Sequence, residues 1–434
     1  MSATSSAASI PAQRWVRIIP AAFLMYTIAF IDRNNIAFGF AGMQRDLAFG
    51  ATASGMAAGI FFIGYLFLQV PGSLLAEKWS AKRFITAALL VWGVCAMATA
   101  LAQSLTQLLI IRFILGVVEG GVSPATMILL TKWFPLSERS RANALWYLCI
   151  PAASIVTGPV SGWILTHYDW RMLFILEGAP AVIWAAVWWW LIDDSPSTAK
   201  WISPAERNYL ETTIAAEKKT LAAEVPSLRA VLRNRNVILL LVLFCFLQVG
   251  FYGYGLWLPT IVKALSQGTI LQVGWITAIP WACAMIGSLL ISARADRTRD
   301  YKTHIAGPIL IGALFLALSV VAGPGHPVLA IAALSICLGF IYCYAVYWAA
   351  LSSFIAADVL AVAMGTINAI GNLGGFFGPF IVGALIDRTG TPVVGEAFLI
   401  GCLVISGLFA LQLRNRPAQR PAMTASPQAA ATTS

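Results

Sequence analysis

The sequence predicts an all-α membrane protein whose twelve transmembrane helices form two pseudo-symmetric six-helix bundles. Three features carry that prediction. Of 434 residues, 59% are hydrophobic and only 11% charged, with a mean hydropathy of +0.80, whereas a soluble domain carries about 25% charged residues. Windows of about 20 mainly apolar residues, enough to cross the hydrocarbon core, occur twelve times along the chain. Matching polar signals recur in the two halves at nearly equal spacing.

Taken in order, residues 1–17 read as a retained cytoplasmic tail, because the apolar stretch that follows is too long for the core of a cleaved signal peptide. Spans 1 to 6 are expected at 18–42, 53–76, 84–103, 106–131, 142–166 and 172–192, forming an N-terminal bundle over 18–192. Residues 193–236 are a longer connection. There Ser203 is placed to cap a helix, Pro204 suits its first position and Glu206 the third, as in a capping box. The linker therefore reads as a cytoplasmic amphipathic helix with a solvated face. Spans 7 to 12 follow at 237–261, 270–293, 304–322, 327–351, 360–386 and 396–413, giving a C-terminal bundle over 237–413. Residues 414–434, small and polar, read as a disordered cytoplasmic tail.

Charge sets the expected orientation. With the N-terminus inside, the cytoplasmic connections hold 22 of the 28 Lys and Arg, and the opposite loops hold Arg45, Arg171, Lys263 and Arg388. The two left over, Arg33 and Arg112, lie within spans. This bias puts both termini in the cytoplasm and makes the net charge of +10 an orientation signal. No basic patch interleaved with aromatics suggests nucleic acid. The seven cysteines fall inside spans without a C-x-x-C pair, and the three histidines are scattered, so neither a metal site nor a cofactor is expected.

The repeat rests on two motif pairs. After span 2 comes "SLLAEKWSAKR" and after span 8 "SARADRTRDYK", each with an acid followed by a base: Glu77-Lys78 and Asp296-Arg297. Span 5 carries "GPVSG" with Gly158 and Pro159, and span 11 carries "GPFIVG" with Gly378 and Pro379. Gly158 lies 81 residues beyond Glu77, and Gly378 lies 82 beyond Asp296. Equal separations of this kind point to two six-helix repeats in parallel orientation.

Within the spans, charge is concentrated in the first half. Span 1 contains "FIDRNNIAFGF", although one charge at the bilayer centre costs at least ~2.5 to 3.5 kcal/mol. Span 4 offers the compensation. Arg112, Gly116, Glu119, Gly120 and Ser123 fall on one helical stripe, and its glycines permit close approach by another helix. Asp32 and Arg33 are therefore expected to meet Arg112 and Glu119, two acids cancelling two bases. A purely structural quartet would lock the helices, but buried ion pairs stabilise poorly against apolar residues of similar volume, which favours a functional role. Glu177, a third acid within a span, sits roughly two turns into span 6 and reads first as a helix-packing or gate contact, then as a proton site. The second half offers neutral groups: Gln248, Tyr252, Tyr254 and Trp257 on span 7, Tyr344, Tyr347 and Trp348 on span 10, Asn368 and Asn372 on span 11.

With these residues in view, the chain resembles the major facilitator superfamily over about residues 14–415. More narrowly, "FIDRNNI", "GIFFIGYLFLQVPGSLL", "RFILGVVEGGVSP", "LFILEGAPA" and "YGYGLWLPTIVK" are similar to its anion:cation symporter branch, which includes permeases for tartrate, phthalate, hydroxyphenylacetate and sugar acids. The first loop departs from the superfamily pattern, with Glu77 where Asp is usual and Ser80 where Gly is usual. The resemblance implies a secondary active transporter, not an enzyme, that imports a small organic anion with protons by alternating access. It implies that Asp32 and Glu119 take up protons and that Arg33 holds the substrate carboxylate. Arg112 either assists or gates Glu119. Tyr65, Tyr254, Trp348 and Asn368 would contact the body of the substrate, and Glu77, Lys78, Asp296, Arg297 and the two Gly-Pro pairs would serve gating. The expected setting is a monomer in the bacterial inner membrane. Two alternatives stay open: a drug:proton antiporter, since "GPVSG" partly matches the antiporter motif of exporters, and a non-transporting carboxylate receptor.

Overall fold

The structure, a computed structural model, describes residues 12–220, 233–355 and 357–414. The tail before residue 12, linker residues 221–232 and the tail after 414 lie outside the described residues. Those that are described form helices and short connections, with no strand among them.

Eleven helical stretches are long and apolar enough to cross a membrane, and Ala51–Tyr65 is a shorter apolar helix. That shorter helix opens span 2, which turns at 66–68 and resumes as Gln69–Leu75. Ser80, in extended backbone, then reverses the chain into span 3, Ala81–Ala98. Several other spans are jointed near their middles. Span 1 divides at Asn35 into Gln13–Asn34 and Ile36–Leu47, span 4 at Gly121 into Leu105–Gly120 and Val122–Trp133, and span 5 at Leu148 into Leu136–Tyr147 and Cys149–His167. Span 10 divides into Pro327–Ile341 and Tyr344–Phe354, and span 11 into Ala357–Gly371 and Gly374–Thr389. Spans 6, 7, 8, 9 and 12 run unbroken as Trp170–Leu191, Arg235–Ser266, Ile270–Thr298, Tyr301–Ala322 and Val393–Leu411. In a membrane, such breaks persist where the freed backbone is covered by neighbouring protein or faces a polar interior.

The linker helix keeps the solvated face expected, with Ala205, Asn208, Glu211 and Thr212 exposed, and packs its other face on the N-terminal bundle. Helix Pro204–Thr220 begins with half a capping box: Ser203 Oγ accepts from Glu206 N at 3.2 Å, but the Glu206 carboxylate turns away. It accepts instead from Gln13 N and from the Arg14 guanidinium at 2.5 Å, while Arg14 also pairs with Glu138 at 2.7 Å. The linker helix is thus clamped to the start of span 1 and, through Arg14, to the first turn of span 5. Both described chain ends lie at this linker end, since Asn236 Nδ2 donates to the Arg414 carbonyl.

The two bundles meet at the opposite end. The first helix of span 2 packs along the second helix of span 11, and span 5 packs along span 8. Both crossings depend on glycine. A Cβ on Gly55 would stand 2.1 Å from the Pro379 carbonyl oxygen, and one on Gly158 2.3 Å from that of Gly274. Asp387, near the end of span 11, closes the first crossing. Its carboxylate accepts from Ala51 N at 2.8 Å, Thr52 N at 2.7 Å and Thr52 Oγ1 at 2.6 Å, capping the N-terminus of span 2 across the bundle boundary.

Candidate functional site

Asp32 and Arg33 are sequence neighbours on a helix, so their side chains leave the axis about 100° apart and cannot serve one partner. Arg33 points at span 4, where its Nη2 donates to Glu119 Oε2 at 2.8 Å. The rings of Phe30, Phe61 and Tyr65 stand 4.4, 4.8 and 5.0 Å from the guanidinium carbon, an aromatic setting that favours a cation. Asp32 turns instead to span 3, where Trp92 Nε1 donates to its Oδ2 at 3.1 Å and Asn35 Nδ2 to its Oδ1 at 3.4 Å.

Arg112 lies 1% exposed and interacts electrostatically with both Asp32 and Glu119. Its Nε and Nη1 find no hydrogen-bond partner among the described residues, and neither does Glu119 Oε1. Within the quartet the direct contact is Arg33 to Glu119, and the pairing is specific. Glu119 serves Arg33, Asp32 is held by an indole, and Arg112 keeps donors to spare.

Around Arg33 the two bundles supply tyrosines. Tyr26 and Tyr65 hydroxyls stand 3.4 Å apart, and Tyr252 of span 7 lies near Arg33 from the other bundle. Tyr26 and Tyr147 both lie near Ser123 on the span 4 stripe. Tyr254, two residues beyond Tyr252, faces the opposite way into the C-terminal bundle, where its hydroxyl donates to the Leu334 carbonyl at 3.0 Å. The structure therefore does not bring Tyr254 to the quartet.

A neutral chain runs on from here. Tyr344 OH bonds Gln248, whose Nε2 donates to Asn372 Oδ1 at 3.0 Å; Asn372 Nδ2 donates to Asn368 at 3.3 Å, and Asn368 Nδ2 crosses the bundle boundary to Gln69 at 3.3 Å. Asn368 is thus a bridging residue. Trp348 packs edge-on against Phe244 at 5.2 Å, half-buried beside this chain.

The residues assigned to gating fall in two places. Glu77, Lys78, Asp296 and Arg297 are exposed at the linker end. There Ser80 caps span 3 through Arg83 N, and Asp194 accepts from Lys82 N at 3.0 Å, tying the first loop to the linker. Gly158, Pro159, Gly378 and Pro379 lie in the segments that pack near the opposite end. Gly158 meets Gly274, the Pro379 carbonyl meets Gly55 and accepts from Trp257 Nε1, and Gly378 packs on Val249 within its own bundle. Glu177 is buried against span 5, where Ser161 Oγ donates to its Oε1 at 2.8 Å.

Sequence reasoning passed over Trp92, Tyr26 and Asp387, and it noted Tyr252 without choosing it. A single Trp or Tyr in an apolar helix carries no local signal that separates ligand from packing. Asp387 alone offered one, an acid inside "LIDRTG" beside the bundle's last turn.

The profile of the Major Facilitator Superfamily matches residues 22–379. A protein of Agrobacterium vitis named "Putative tartrate transporter" is 35% identical over 92% of this chain and 89% of its own. The "Quinolone resistance transporter" of Acinetobacter baumannii is 33% identical over 88% of this chain and 90% of its own. Among solved structures, the inward open conformation of the xylose transporter XylE from E. coli superposes with a TM-score of 0.74 at 14% identity, over 93% of this chain and 97% of that one. At that identity the likeness speaks for the fold.

Proposed function

The chain belongs to the Major Facilitator Superfamily, a family of transporters and not of enzymes, and from that membership we propose that it imports a small organic anion together with protons. The substrate class is a hydroxy-, sugar- or aromatic carboxylate, and the setting is the bacterial inner membrane with the linker end cytoplasmic. In that orientation the tight crossings lie on the outer side, and the site would exchange with the cytoplasm.

One observation carries the reading: Glu119 occupies Arg33. A guanidinium offers a planar fork matched to a carboxylate, so a substrate carboxylate and Glu119 compete for the same donors. Protonating Glu119 removes its negative charge, weakens the pair and frees Arg33 for the anion. Arg112, with unpaired donors, can take a second carboxylate oxygen or hold Glu119 once Arg33 is engaged. Asp32, held by Trp92 and facing Arg112, is the second proton site. The neutral chain from Tyr344 to Asn368 offers hydrogen bonds for the substrate's hydroxyls, and the name of the Agrobacterium relative supports a hydroxy-dicarboxylate among the first probes.

The rival reading, drug efflux in exchange for protons, is favoured by the name of the Acinetobacter relative. Proteoliposomes separate the two. Under an inward proton gradient, labelled tartrate or glucuronate should accumulate and a protonophore should abolish the accumulation. Quinolone extrusion without carboxylate uptake would reverse the assignment, and uptake that followed sodium while ignoring pH would remove the proton roles of Asp32 and Glu119.

A further inference from the structure

Glu177 lies outside the quartet, yet it is as deeply enclosed, at 4% exposure. Its Oε1 accepts from Ser161, and its Oε2 has no hydrogen-bond partner among the described residues. The helices packed on span 6 are chiefly spans 1 and 3, with span 5 behind Ser161. From these, the groups near enough to act on Glu177 are Ser161, the Asn35 amide and the Asp32 carboxyl, and none carries a positive charge. Arg171 on its own helix is engaged by the carbonyls of Ala100 and Ala102 at 2.6 and 2.9 Å. A buried carboxylate with one hydroxyl donor and no cation is poorly compensated. The site is fitted to hold a proton.

Two connections give that proton a part in transport. Asn35 donates to Asp32 Oδ1 at 3.4 Å and lies close to Glu177, so it stands between the two acids, near enough for the charge on one to be felt by the other. Ser161 adjoins Gly162 and lies one turn from Gly158, the residues of span 5 that pack on Gly274 and Ile270 of span 8. The bond from Ser161 to Glu177 therefore stands beside the crossing that must part when the far end opens, and parting it brings this carboxyl toward solution from that side.

We propose that Glu177 is a third proton-binding carboxyl, loaded from the side of the membrane opposite the linker and coupled to Asp32 through Asn35. This rests on the reading of the chain as a proton-coupled carrier.

The test has two arms. In the purified full-length protein without substrate, infrared difference spectra on exchange into D2O should show a protonated-carboxyl band that is missing from Glu177→Gln. Identical spectra for the two proteins would overturn the proposal. In proteoliposomes with tartrate as the probe, the proton-to-tartrate ratio read from the reversal of uptake should fall by one in Glu177→Gln, while tartrate binding stays within about twofold of wild type; an unchanged ratio would overturn it equally. If wild type carries no tartrate, the substrate reading fails and the infrared arm still decides Glu177. Should Glu177→Gln fail to insert, Glu177→Asp and Ser161→Ala must each displace the band, and a band unmoved in both refutes the assignment.

Discussion

Replacing Gly158 by alanine adds one methyl group at a place with no room for it. The new Cβ would come to 2.3 Å from the Gly274 carbonyl oxygen and 2.6 Å from Thr277 Oγ1. The nearer neighbour is backbone, so a side-chain rotation cannot relieve the clash. Overpacking of this kind costs about 1 to 3 kcal/mol. In alternating access the contact exists only while the bundles are closed at the end opposite the linker, so the penalty falls on one of the two conformers. The equilibrium should then move by about 5- to 150-fold toward the conformer open at that end. The assay is the alkylation rate of a cysteine placed at Thr157, which is buried beside the crossing, in a background without the native cysteines. Labelling by an impermeant reagent from that side should rise by a factor in this range in Gly158→Ala. Gly307→Ala and Gly401→Ala, where a Cβ meets nothing within 4 Å, should leave the rate unchanged. No rise in Gly158→Ala, or an equal rise in the controls, would refute the reasoning.

The same labelling assay applies to Asp387→Asn, which weakens a charge-assisted cap on span 2; a loss of about 1 to 3 kcal/mol should shift the conformers in the same direction, and Thr52→Ala should shift them less. Asp32→Asn and Glu119→Gln should each abolish uphill tartrate uptake while at least one retains binding, and concentrative uptake by both folded variants would make the quartet structural. Arg33→Lys keeps the charge but loses the planar fork, so carboxylate affinity measured by calorimetry should fall by about 1.5 to 3 kcal/mol, roughly 10- to 150-fold; unchanged affinity would move the anion to Arg112. A reporter fused after Arg416 should be active in the cytoplasm, and external activity would invert the orientation.

The span 4 stripe was legible in the sequence because helical periodicity alone puts Arg112, Gly116, Glu119 and Gly120 on one face, and charge economy in a membrane supplied the need for Asp32 and Arg33 nearby. The pairing within the quartet was not legible. Which neighbour of a helix reaches which partner depends on the rotation of span 1 about its axis, and that is set by packing against spans 5 and 6. For the same reason Tyr254, expected at the body of the substrate, turns into its own bundle while Tyr252 faces the Arg33 side, since two residues along a helix is more than half a turn. The jointed spans were hidden too: span 2 reads as one apolar window, and nothing in "YLFLQ" announces that its helix stops at Tyr65 and restarts at Gln69. The linker clamp depends on Glu206 preferring Arg14 to its own cap, a tertiary competition that the capping pattern cannot register.

The four charges of the quartet also make this protein an electrical device with its moving parts on one side. With both acids ionised, Asp32, Arg33, Arg112 and Glu119 sum to zero, and the membrane-buried partners in the second bundle are the uncharged Tyr344, Gln248, Asn372 and Asn368. With the quartet unloaded and Glu177 still protonated, the carrier can swing through the field carrying almost no gating charge, so that reorientation should be nearly indifferent to voltage. Each bound proton adds one positive charge and each substrate carboxylate subtracts one. A 100 mV potential acts on one net charge with about 2.3 kcal/mol, so the field will select among loading states, hastening the inward swing of those in which protons outnumber carboxylates and leaving the empty return to thermal motion alone.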